Sequence, residues 1–593
     1  MRTALTFCVL LYFLLARCEA DTNNVEAILG IPYAKPPLNL RRFKAPEPLP
    51  EKDLLPKGDR TPGCFQLKKG NLDFSLNQSE DCLYLSLFLP KSVDAQHQVN
   101  ILVFFSNDIF NLTELKKNVK HDLAIAVVSF REGVFGLFKQ QTSGISDIHL
   151  ALNVLKKHLM PKYEIKGKIT VIAEDDAASI LSFAGDIGDS VESKLTSPLS
   201  TANWAEKIKA KREARKVKNR RKRIGEVVER RKRVCEFLVF AASNPELGQG
   251  WAYLRNLPFD QAVLLNGNKY VGRFNERKEI VERNAERLLR NTECDLPSDQ
   301  QALDCLRTKT VKDIKDALNK MTFQEVHGAP FQPLLESKVK NVFPTIVSSQ
   351  SLLQSDYIST EEFDSSYSYS DFKRFLSYLI SETDYSNAPL LRRLALYEYV
   401  HAQGSKTDTY FLFEQSRKMI QDKQFFTKTF QYVMDLNPLN NPVWLVEYSQ
   451  KDVLLQCFFT TVTEYNEGFC RQFIQYITRY ASKGKPTEEG CDPKNPSWPA
   501  LKSTKRDYFL ELKDNGEVEW KFNYHLRANA FWTDLLPAMS KIDLAGKREP
   551  EFEEVRDLTA YEEEDDVQLW HTQEQPDLTE EKALNDMPLH FDL

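Results

Sequence analysis

Between Val25 and Ile180 short apolar runs alternate with polar turns. ILVFF at 101–105, LAIAVVSF at 123–130 and KITVIA at 168–173 are β-branched or aromatic runs, too short to cross a membrane, and they predict strands. HLALNVLKKHL at 149–159 instead repeats its apolar residues at helical spacing. Strands alternating with helices predict an α/β fold, a twisted and mostly parallel central sheet with helices on both faces. In GKITVIAEDDAASIL (167–181) the last of these strands ends in a polar turn at Asp175 and Asp176, and small residues then open a helix.

With 593 residues, 42% of them hydrophobic, the chain is long enough to bury a large core. A net charge of −5 selects no electrostatic class. The first twenty residues change the picture more. Arg2 precedes an apolar run from Leu5 to Leu15, and ARCEA leads into Asp21, the layout of a secretory signal peptide cleaved after Ala20. No later run approaches the roughly 18 apolar residues that a membrane span needs. The expectation is a soluble mature chain, secreted or, as the alternative, held in the endoplasmic reticulum lumen. Eight cysteines follow the leader, at 64, 82, 235, 294, 305, 457, 470 and 491. In an oxidising compartment an even set favours disulfides over metal ligands. No C-x-x-C pair occurs, which argues against zinc, and no cofactor is implied. Asn77-Gln-Ser and Asn111-Leu-Thr are candidate glycosylation sites.

LGIPYAKPPLNLRRF (29–43), SEDCLYLSLFLP (79–90), VVSFREGVFGLF (127–138) and ISDIHLAL (145–152) resemble, in order, signatures of the type-B carboxylesterases and cholinesterases. Weaker similarity runs on to about residue 545, including PFQPLLES (330–337). The resemblance implies an α/β-hydrolase domain over 21–545, interrupted by an insertion at 207–280. It also implies two disulfides, Cys64 with Cys82 and Cys294 with Cys305. The pairing of Cys235, Cys457, Cys470 and Cys491 stays open.

Acyl transfer in this fold needs a nucleophile, a base oriented by an acid, and an oxyanion hole. The resemblance places the G-x-S-x-G nucleophile turn on Ala173-Glu174-Asp175-Asp176-Ala177, without the serine or either glycine. The H-G-G-G oxyanion loop falls on Ser106, Asn107, Asp108 and Ile109, where a carboxylate and a β-branched residue are poor replacements for glycine. The base should lie near VEYSQKD (446–452), yet no histidine occurs between His401 and His525. SSQSLLQS (348–355) stands where an acidic turn is expected. Some α/β-hydrolases use an aspartate nucleophile, so Asp175 is weighed in that role too, with His149 and His158 as the nearby histidines. The reading favoured by three separate departures is no catalytic residue at all.

Two charge blocks lie outside the resemblance. Residues 207–233 hold fifteen Lys or Arg against three Glu. The leader argues against nucleic acid as the partner. Arg220-Arg-Lys-Arg223 and Arg230-Arg-Lys-Arg233 match a furin-type pattern with cuts after Arg223 and Arg233, and the same charge suits sulfated glycans. The tail, 546–593, has sixteen acids against two bases from Glu549 onward, which predicts disorder. It offers Tyr561 beside five carboxylates for sulfation and His590-Phe-Asp-Leu593 as an altered retrieval signal. Together these features resemble the cholinesterase-like adhesion proteins, of the soluble glutactin type. They imply a catalytically inactive protein that binds an extracellular or luminal protein partner. The rival is a hydrolase with residual or Asp-based chemistry.

Overall fold

The apolar runs form the middle of one ten-stranded sheet in a computed structural model of the chain. Described residues fall within 25–187, 259–321, 343–350, 367–501 and 508–542, apart from short stretches inside those spans. The leader 1–20, Asn77, Asp108, segment 207–233 with Arg223 and Arg233, Cys235, residues 330–337, and the tail 546–593 with Tyr561 and His590–Leu593 lie outside them.

The strands are β1 (Val25–Pro32), β2 (Tyr84–Pro90), β3 (Asn100–Phe105), β4 (Leu123–Val128), β5 (Ile169–Glu174), β6 (Gln261–Leu265), β7 (Thr345–Gln350), β8 (Val443–Tyr448), β9 (Tyr508–Leu512) and β10 (Val518–Phe522). Their order across the sheet is β1-β2-β4-β3-β5-β6-β7-β8-β9-β10. Neighbours from β4 to β9 are parallel, and β1, β2 and β10 join antiparallel. ILVFF reads as unbroken apolar sequence because both faces of β3 are covered. Ile101, Val103 and Phe105 enter one core with Ala124, Ala126, Val171 and Ala173, whereas Leu102 and Phe104 enter the opposite core with Ile125, Val127 and Ile172. The first core is closed by α2 (Ser143–Val154), α3 (Asp175–Ile187) and α7 (Thr427–Leu436). The second is closed by α1 (Leu112–Asn118), α8 (Gln456–Phe459) and α9 (Glu467–Lys483). Helices α4 (Lys278–Asn291), α5 (Asp299–Thr308) and α6 (Val311–Asn319) build a third, smaller core.

β6 corrects the sequence reading. It lies within 207–280, where the resemblance implies an insertion, yet it is a fully buried strand between β5 and β7. QAVLL has one β-branched residue and no aromatic, unlike ILVFF, and periodicity alone does not tell such a short apolar run from a segment of buried helix.

Among the described residues three disulfides form, Cys64–Cys82, Cys294–Cys305 and Cys457–Cys470. The third ties α8 to α9, a pairing that the sequence left open. Among the described residues no helix is long and apolar enough to cross a membrane.

By their contacts the described residues divide into two compact units, one within 1–360 and 421–529, the other within 361–420 and 530–593. The sheet belongs to the first. The described residues of the second are mainly helical, and its helix Tyr369–Leu379 opens with a capping box, Ser368 and Asp371 bonding to each other's backbone N–H. Within this unit Trp532 Nε1 donates to the Tyr399 hydroxyl at 2.7 Å.

Candidate functional site

The turn from β5 into α3 keeps the backbone of a nucleophile turn without its serine. Asp175 has a φ of +50°, in the left-handed region that Asp and Asn tolerate better than most residues. Asn266, at the end of β6, has a φ of +48°. The two face each other, with Asn266 Nδ2 donating to Asp175 Oδ1 at 2.8 Å. The remaining groups of Asn266 reach the end of β7. Its Oδ1 accepts from Gln350 N–H at 3.2 Å, and its N–H donates to Ser348 Oγ at 3.1 Å and to Ser348 O at 3.2 Å. A Cβ on Gly267 would stand 2.0 Å from Asp175 O, so only glycine lets the chain pass the turn so closely. One asparagine thus ties the nucleophile position to the strand end where the acid was expected. Asp175 and Asp176 are half-buried, in line with two adjacent carboxylates that need water or polar partners.

Glu174, the last residue of β5, is buried and takes the N–H groups of Leu454 and Leu455 on its two oxygens, at 2.7 and 2.9 Å. The fully buried Tyr448 phenol has its pKa pushed well up, first by burial and then by the charges of Glu174 and Asp175.

At the oxyanion position Asn107 is buried and acts as a bracket. Its Nδ2 donates to Phe130 O at 2.8 Å and to Glu132 Oε2 at 2.9 Å, and its Oδ1 accepts from Cys64 N–H and Phe130 N–H at 3.2 Å each. An oxyanion hole works through donors aimed at a substrate oxygen; this side chain is aimed at the protein. Ser106 beside it is buried as well.

At the base position Ser449 follows β8 and donates to Asp514 Oδ1 at 2.8 Å. The histidines weighed as substitutes do not take its place: His149 is buried on α2, and His158 lies at the surface, 3.5 Å from Glu51. An acid–imidazole pair that the sequence did not reveal stands elsewhere. His525 Nε2 is 3.0 Å from Glu447 Oε1. Its ring stacks on Phe426 and meets Tyr524 edge-on, and the Tyr524 hydroxyl donates to Ser349 Oγ at 2.7 Å. The only signal was that Glu447 interrupts an apolar strand with a charge. Among the described residues no His, Cys, Asp and Glu cluster could hold a metal ion.

A mostly parallel sheet with a positive-φ turn after its fifth strand defines an α/β-hydrolase, here with Asp175 at the nucleophile position and Asn107 at the oxyanion position. The model of the Carboxylesterase family matches residues 16–174 and 254–532, more than half of the chain, and the chain belongs to that family. The match resumes at residue 254, just ahead of β6. Similar proteins include a neuroligin-like protein, glit-1, of Caenorhabditis elegans, 31% identical over 27% of this chain and 25% of its own length. Carboxylesterase 5A of Felis catus is 32% identical over 20% of this chain and 25% of its own. Thyroglobulin of Sus scrofa is 34% identical over 21% of this chain and 5% of its own. The alignments therefore span a quarter or less of these relatives.

Proposed function

We propose that this member of the carboxylesterase family turns over no ester and acts by binding a protein partner, in an adhesion-type role, after secretion or in the lumen of the secretory pathway. The observation that carries the reading is the Asp175–Asn266–Gln350 chain of hydrogen bonds. A neutral amide donor stabilises the Asp175 carboxylate where it stands but removes no proton from water. General-base help is what hydrolysis by either a serine or an aspartate route requires. The relatives include proteins named as esterases and one named neuroligin-like, so the site residues, and not the similarity, discriminate. Three disulfides and the leader-like N-terminus support the secretory location.

The test is turnover of aryl esters, epoxides and haloalkanes by the purified full-length chain and by Asp175→Ser. No turnover by either is expected, since a restored serine would still lack base and oxyanion donors. Saturable binding of the labelled chain to intact cells, removed by trypsin treatment of the cells, would support the binding half. A second reading, hydrolysis through Asp175, is favoured by the retained positive φ. Turnover by the native chain that Asp175→Asn abolishes would establish it.

A further inference from the structure

The loop after β3 leads to Asn111-Leu112-Thr113 at the start of α1. Asn111 and Thr113 are both exposed. Asn111 Oδ1 accepts the Thr113 N–H at 2.9 Å, its backbone N–H donates to Phe459 O at 2.6 Å, and its backbone O accepts from Leu115 N–H at 3.1 Å. None of these bonds uses the amide nitrogen Nδ2 of this exposed residue. The contrast with Asn107 in the same loop is direct, because that asparagine is buried with both ends of its amide engaged.

We infer that Asn111 carries an N-linked glycan and that the glycan stands on the rim of the degenerate site. In the transfer, Nδ2 exchanges an N–H bond for a bond to the anomeric carbon of a lipid-diphosphate-linked oligosaccharide. The carbon–oxygen bond to the diphosphate breaks, the diphosphate leaves with the electron pair, and the amide proton passes to a base of the transferase. The amide oxygen takes no part, so it still accepts the Thr113 N–H and the start of α1 is undisturbed. Topology puts Asn111 and Asp175 beyond the same edge of the sheet, which supports a place on the rim. β3 and β5 are adjacent and parallel, Asn111 follows the C-terminal end of one and Asp175 that of the other. Strand ends on that side of an open parallel sheet are where such folds place their ligands.

The inference rests on entry into the secretory pathway, and the experiment separates the two. The full chain is expressed in secreting eukaryotic cells, once with its own N-terminus and once behind a heterologous signal sequence. Glycosidase treatment in heavy-oxygen water then marks each formerly occupied asparagine as a labelled aspartate. Asn111 is expected to be marked in the native chain and in Thr113→Ser, and unmarked in Thr113→Ala. Asn111→Asp keeps the oxygen that caps α1, so it should be secreted and folded while lacking one glycan on gels. An unmarked Asn111 in folded chain delivered by the heterologous signal overturns the inference. Marking only behind that signal leaves the glycan standing and overturns the secretory reading of the native N-terminus.

Discussion

Two regions of the sheet unit treat buried polar groups in opposite ways. Just beyond the end of β4, Arg131 pairs with Asp147 of α2 in an ion pair whose two side chains are almost wholly buried. Arg131 Nε and Nη2 donate to the two carboxylate oxygens at 2.8 and 2.7 Å, and its backbone N–H adds a third bond at 3.1 Å. Arg42 and Glu80 form a second two-pronged pair, with Arg42 Nη1 also donating to Leu306 O at 3.0 Å. At the nucleophile and oxyanion positions the bonds run through neutral amides, with Asn266 donating to the half-buried Asp175 and Asn107 bonding to Phe130, Glu132 and Cys64. The difference teaches where a fold holds its sequence fast. Removing one member of a buried ion pair strands a charge, at a cost of about 3–5 kcal/mol, a large part of a domain's stability. A site residue whose task was to meet substrate can be replaced by anything that satisfies its neighbours.

The largest expected effect tests the scaffold side. Asp147→Ala should lose about 3–5 kcal/mol in urea unfolding, or fail to accumulate as folded protein. A variant that unfolds at the native midpoint would erase the contrast. Asn107→Ala should cost about 1–3 kcal/mol, because it leaves buried donors and acceptors around Cys64 and Phe130 unmet. If Asn107→Ala instead matched the native chain, Asn107 would not be a structural bracket, and its place near the oxyanion position would again need a functional explanation.

A finer test asks whether Asp175 and Asn266 are a structural couple. A double-mutant cycle with Asp175→Ala and Asn266→Ala should give a coupling of roughly 0.5–1.5 kcal/mol in stability. Additive single effects would mean that the turn is held by its backbone alone.

The smallest effect appears only in alkali. Tyr448, Tyr33, Tyr480 and Tyr524 all have pKa values raised well above normal, chiefly by burial. A phenol that holds its proton more tightly when folded leaves stability intact below its unfolded pKa of about 10 and lowers it as pH rises beyond that. Denaturant midpoints should therefore be flat in this respect near neutrality and fall above about pH 10, with a shallower fall in Tyr448→Phe. A midpoint that rises in that range would contradict the burial of these rings.

Much of this was legible in the chain itself. The apolar runs at 101–105, 123–130 and 168–173 became β3, β4 and β5 because strands covered on both faces must be apolar throughout. The absence of serine at position 175 and of histidine between 401 and 525 is a fact of composition that no folding can alter. Cys64–Cys82 and Cys294–Cys305 followed from resemblance, since each closes a short loop inside a recognisable stretch.

What tertiary structure alone decided is the set of contacts between distant segments. Asn266 meets Asp175 across 91 positions of sequence, and His525 meets Glu447 across 78. Neither asparagine nor histidine sits in a motif, so no spacing announced them. They meet because β5 lies beside β6 and β6 beside β7, and because the chain returns near β8 after β10. The order and register of a parallel sheet are set by which faces are buried together, a property of the assembled core. Residue types on one strand therefore say that a position will be buried, and only the neighbouring strand says what it will be buried against.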